Sequence, residues 1–172
     1  MWCVSDGCED FETEVREGER ERGGVLGGMI KFVLFCNKLG QTRLSRYYEE
    51  VALGQREALE GEIVRTCLRR TDAHCNLFEH RGYKVIYKRY ASLFFIVGVD
   101  GEENELAVLE LIHLIVETLD KYFENVCELD MMFFFDRVHF IVDEMIVNGF
   151  LVDANKANAL APLRLLDMDA RG

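Results

Sequence analysis

The sequence predicts an α+β fold, a five-stranded antiparallel sheet flanked by helices, and three observations carry that prediction. Residues 83–99, YKVIYKRYASLFFIVGV, hold two strands of different kinds. The first alternates, with Tyr83, Val85 and Tyr87 on one face and Lys84 and Lys88 on the other, the pattern of a strand with one wet face. The second, LFFIVGV, offers water no polar face and belongs in a sheet covered on both sides. A similar pairing opens at Met29, where MIKFVLFCN is largely apolar on both faces and a turn at Asn37-Lys38-Leu39-Gly40 leads into a second strand at residues 41–48. After Asp100-Gly101 only helical periodicity remains, so the covering layers must be helices.

Taken in order, residues 1–28 come first, and eight acidic residues there face three arginines among few large apolar ones. Such a segment cannot offset its own ordering entropy, and an acidic, disordered extension is expected, with residues 29–172 as the folded domain. The hairpin from Met29 follows. Residues 55–69 then place Leu59, Ile63, Val64 and Cys67 at helical spacing before Thr71-Asp72 breaks the pattern. Residues 76–80 form a short strand turned by Arg81-Gly82 into the alternating one, which completes five strands.

Two long helices are expected at residues 105–124 and 129–148, the second with Asp130 as N-cap and Gly149 as its C-terminal stop. In each, acids and histidines make one narrow stripe and the remaining circumference is apolar. That surplus exceeds what one small sheet covers and points to a docking surface. A last amphipathic piece, residues 155–166, contains the only proline, Pro162, where a short helix is expected to restart.

Composition excludes several function classes. The formal charge of −11 and pI near 4.8 argue against a nucleic-acid surface, which needs clustered Lys and Arg. Six cysteines show no C-x-x-C spacing and several sit in apolar runs, as expected of a reduced, cytosolic protein. No apolar stretch approaches the roughly 20 residues that span a bilayer. His74, His80, His113 and His139 are scattered without partners at metal-ligand spacing, and no nucleophile or phosphate-loop motif occurs, so neither a metal, a cofactor nor an enzymatic activity is expected.

From Met29 to about Asp167 the chain resembles the small (sigma) subunits of the clathrin-type heterotetrameric adaptor complexes. The resemblance rests on NKLGQTRL (residues 37–44), YKRYA (87–91) and NVCELD (125–130), which fall in family order. Within the family, ENEL (103–106), VDEMIVNG (142–149) and LAPLRLLD (160–167) look most like the sigma subunits of the fourth adaptor-protein complex. The resemblance implies a longin-like α-β-α sandwich, in agreement with the periodicity. It implies a non-enzymatic subunit that stabilises a large adaptin subunit, with further large and medium adaptor subunits as partners. The setting would be cytoplasmic, with membrane contact at the trans-Golgi network or on coated vesicles only through the complex.

It also implies a cargo site. By match to the family motif, Arg43 would hold the acidic residue of a [DE]-x-x-x-L-[LI] sorting signal, a pairing that suits the guanidinium fork. The two leucines would lie in a pocket lined by Tyr90, Ala91, Leu93, Val116, Asn125 and Val126. The alternative to an adaptor subunit is a free-standing longin domain regulating SNAREs or small GTPases. A longin SNARE needs a heptad region and an anchor after the domain, and the sequence ends at Gly172 without them.

Overall fold

The computed structural model describes residues 29–70, 75–101 and 103–169. The expected disorder of residues 1–28 and the expected break at Thr71-Asp72 lie outside them. Strands β1 (Ile30–Asn37), β2 (Thr42–Tyr47), β3 (Leu77–His80), β4 (Tyr83–Tyr90) and β5 (Leu93–Val99) form one antiparallel sheet in the order β2-β1-β5-β4-β3. The two most apolar strands, β1 and β5, are neighbours at the centre, where all of their side chains but Lys31 are buried.

Short turns set the pairing. At the end of β1 the Asn37 side-chain oxygen accepts from the backbone N–H of Leu39 at 3.0 Å and of Gln41 at 2.9 Å, and Gly40 takes a φ of 81°. Between β3 and β4, Arg81 and Gly82 both have positive φ, as a two-residue type I′ hairpin requires.

The sheet is the middle layer of an α-β-α sandwich. Helix α1 (Leu53–Arg69) links the edge strand β2 to the opposite edge strand β3 and buries Leu59, Ile63, Val64 and Cys67 against Phe32, Leu34, Cys36, Val85 and Ile96. Burial pushes the Cys36 and Cys67 thiols up to about 12, so both act as small protonated hydrophobes. The four cysteines among the described residues are unpaired.

The other face is covered by α2 (Glu105–Phe123), capped by the Asn104 side chain, which accepts from Leu106 N–H at 3.0 Å. Its Leu111, Ile112, Ile115 and Leu119 join Val33, Phe35, Ile86, Phe95 and Val97 in the larger core. That core is completed by α4 (Phe135–Met145) and α5 (Lys156–Asp169). Here α5 runs through Pro162 as one helix and does not restart there.

Other expectations are corrected as well. The lysine face of β4 is not wet: Ile86 is buried on it, and Lys84 is covered, its ammonium reaching Glu103 O at 3.1 Å and the Glu105 carboxylate at 3.5 Å. The alternation reflects long side chains that carry their charge past a covering helix. The helix expected at residues 129–148 is two helices, α3 (Glu128–Phe133) and α4, interrupted at Phe134, whose φ of −122° and ψ of 38° are not helical. Asp130 lies inside α3, where its carboxylate accepts from Cys127 N–H at 2.8 Å, and Cys127 is the cap residue.

Nor is Gly149 a helix stop. Asn148 and Gly149, at φ 51° and 83°, turn a small hairpin between β6 (Ile146–Val147) and β7 (Phe150–Leu151). The hairpin tip is fastened to the start of the sheet, with Ile30 N–H donating to Gly149 O at 2.8 Å. A side chain at Gly149 would meet the Ile30 carbonyl oxygen at 2.4 Å, so the approach requires glycine.

Candidate functional site

One end of the sheet gathers most of the residues expected to form a site. The register puts Asn37 of β1 opposite Leu93 of β5, and Leu93 opposite Tyr90 of β4, so the three form a row across the central strands. Ala91 follows in the turn, exposed and at φ 51°. From the helical layer, Val116 joins the same core as Leu93, and Tyr90 and Val126 pack against it half-buried. Asn125 is exposed at φ 90° in the loop between α2 and α3. That loop is tethered by Val126 N–H donating to the Asp120 carboxylate at 2.8 Å.

These residues differ in access. Leu93 and Val116 are 2% and 5% exposed and belong to the core, whereas Ala91 and Asn125 are open to solvent. The arrangement is a polar and apolar collar over a closed floor. Tyr90 is held in place: its ring lies edge-on to Phe95 at 5.7 Å, and its hydroxyl is 3.2 Å from His113 Nδ1 on α2. His113 in turn lies 3.7 Å from Glu117, which pairs with Lys156 of α5 at 2.5 Å.

Arg43 stands at the same end, near the start of β2, and it already holds a carboxylate. Its Nε and Nη2 donate to Glu128 Oε1 at 3.2 and 2.7 Å, and Nη2 also donates to Gln41 Oε1 at 2.9 Å. The Asn37 side-chain amide donates to the same Glu128 oxygen at 2.8 Å and to Gln41 at 3.0 Å. The Asn37 amide and then the Arg43 guanidinium hold the Glu128 carboxyl below its ordinary range. A depressed carboxyl adds stability above the ordinary Glu range, and that contribution fades as pH falls through the lowered value.

Glu128 and Asn37 join this cluster although the match to the family motif did not single them out. Both stand in the stretches NVCELD and NKLGQTRL, but the pairing joins positions 85 and 91 residues apart. Arg46, the other early-strand arginine, pairs instead with Asp143 of α4 at 2.8 Å. Among the described residues no group of three His, Cys, Asp or Glu could hold a metal, and no helix is long and apolar enough to cross a membrane.

Residues 29–170 match the family model described as clathrin adaptor complex small chain. The chain belongs to that family. The small chain is 60% identical over 138 residues to the AP-4 complex subunit sigma of Arabidopsis thaliana, covering 80% of this chain and 96% of the relative. It is 52% identical over 139 residues to the AP-4 complex subunit sigma-1 of Homo sapiens, covering 81% and 96%. A chain in a structure titled as a homology model of the full-length AP-3 complex in a stretched open conformation superposes with a TM-score of 0.65. That match is at 29% identity and covers 83% of the small chain and 96% of the other. The five-stranded antiparallel sheet between helical layers agrees with the longin-like fold expected from the sequence. The small chain is a component of an adaptor complex in vesicle transport, not an enzyme.

Proposed function

We propose that this small chain is the sigma subunit of an adaptor complex of the AP-4 type, acting at the trans-Golgi network. There it steadies a large adaptin-type subunit and reads acidic dileucine signals on cargo tails. The observation that carries the cargo reading is the placement of Arg43, side-on to a carboxylate, at the sheet end where Tyr90, Ala91, Asn125 and Val126 form the collar. A guanidinium poised this way fits the acid of such a signal, and the neighbouring collar fits its leucines.

Assembly is supported by the exposed apolar run at the junction of α3 and α4. Leu129, Met132, Phe133, Phe134 and Phe135 are 46–72% exposed, and Leu165, Leu166 and Met168 add to the apolar surface on α5. Patches of this kind mark interfaces. Residues 29–172 expressed alone should be poorly soluble, and coexpression with a large adaptin-type subunit should recover them in a complex. A monodisperse monomer without affinity for such a subunit overturns the assembly reading.

The cargo reading is tested by calorimetry on the assembled complex. Arg43→Ala should weaken an acidic dileucine peptide by about 1.5 to 3 kcal/mol, the range for hydrogen bonds to charged groups. Its effect on a peptide whose acid is replaced by glutamine should be small. Absence of binding by the wild-type complex at millimolar peptide, or an unchanged affinity in Arg43→Ala, removes cargo binding from the proposal.

A further inference from the structure

We infer that Glu128 is a built-in competitor for Arg43, which sets how strongly the site prefers an acidic ligand. The inference rests on the cargo reading of the collar and adds a regulating residue to it. Three donors converge on one oxygen of Glu128, two from Arg43 and one from Asn37, so the side-on edge of the guanidinium is occupied by the chain's own carboxylate. The second edge is half used, because Nη2 also serves Gln41. An incoming carboxylate therefore gains the side-on contact only by taking the place of Glu128.

The geometry favours exchange over a permanent block. The Arg43 and Glu128 side chains are 20% and 29% exposed, so both reach solvent and the pair can open without unpacking the core. Glu128 is the first residue of α3, and the backbone beside it is fixed by the Cys127–Asp130 and Val126–Asp120 hydrogen bonds. Its side chain can swing away while the helix stays. Glu128 also lies two residues after Val126 and three after Asn125, so the competing acid stands beside the collar.

The consequence is a muted preference for acid. A ligand carboxylate must first take the place of Glu128, so it contributes less than it would to an unoccupied Arg43. A ligand whose acid is neutral leaves Glu128 undisturbed. Removing the Glu128 charge should therefore sharpen selectivity, in contrast to the loss expected if Glu128 merely positions Arg43.

The test uses the full chain in its assembled complex, with Glu128→Gln, which keeps the side chain's shape, and Glu128→Ala, which removes it. Asn37 is left intact because it holds the β1–β2 turn. Coassembly and melting temperature are matched first. The reactivity of Arg43 toward phenylglyoxal, read by mass spectrometry against the other arginines, should rise about fivefold in both variants, since protection follows occupancy of the guanidinium. The affinity ratio between an acidic dileucine peptide and its glutamine counterpart should rise about tenfold, equivalent to about 1.4 kcal/mol. Unchanged or lower Arg43 reactivity overturns the inference, as does an unchanged or smaller ratio when both peptides bind. Raised reactivity with no peptide bound by any form supports Glu128 as a carboxylate competitor, and it is the cargo reading that then fails.

Discussion

Alanine at Gly98 is expected to destabilise the fold by about 3 kcal/mol, the upper end of the usual cost of overpacking a core. Gly98 pairs directly with Phe32 across β1 and β5, and the Phe32 ring lies over it. A Cβ at residue 98 would fall 2.1 Å from Phe32 Cζ and 2.3 Å from Cε1. The ring has nowhere to go, being fully buried between Tyr47 at 5.8 Å and Tyr83 at 5.5 Å. Thermal melting of the assembled complex and the yield of coassembled chain are the readouts. Phe32→Leu in the Gly98→Ala background should recover part of the loss, because the two changes share one space and are not additive. Equal melting of Gly98→Ala and wild type would show that β1 and β5 do not pack as described.

Val116→Asp should be comparably severe, and through the fold before any effect on a ligand. Val116 is 5% exposed within the core that α2 shares with the sheet, so an aspartate there is a nearly buried carboxylate among apolar neighbours. Such a group costs several kcal/mol or forces the carboxyl to stay protonated. The expected result is loss of coassembly near neutral pH. Val126→Asp, half-buried at the rim, should coassemble and lose dileucine peptide, which separates the collar from the core. A Val116→Asp complex that forms and melts normally would mean that the floor of the site is open at that residue.

Much of the fold was legible because its signals are local. The largely apolar runs of β1 and β5 announced central strands, and the spacing of Leu59, Ile63, Val64 and Cys67 announced the helix beneath them. The family motifs brought six of the seven expected residues to one end of the sheet or its covering loop, with Val116 in the floor below.

What the sequence hid has physical reasons. MMFFFD carries no Gly or Pro, so nothing local marks the break at Phe134. Asn148-Gly149 is a strong hairpin dipeptide, but strands of two residues give too little alternation to separate it from a helix end. Lys84 looked solvated because periodicity does not reveal which helix will cover a strand. The partner of Arg43 could not be read from spacing at all, since Glu128 lies in another element and meets it only after the sheet and α3 are in place.

The hydrogen bond between Ile30 and Gly149 also bears on the order in which the molecule can be made. It joins the first strand to a hairpin about 120 residues later, a closure whose entropic cost grows only with the logarithm of the intervening length. As the chain leaves the ribosome, β1 and β2 can pair early and β5 can follow, but the Ile30 N–H lacks its acceptor until Gly149 has emerged. Completion of the domain is thus a late event in synthesis, and damage to that small hairpin would be registered at the opposite end of the polypeptide.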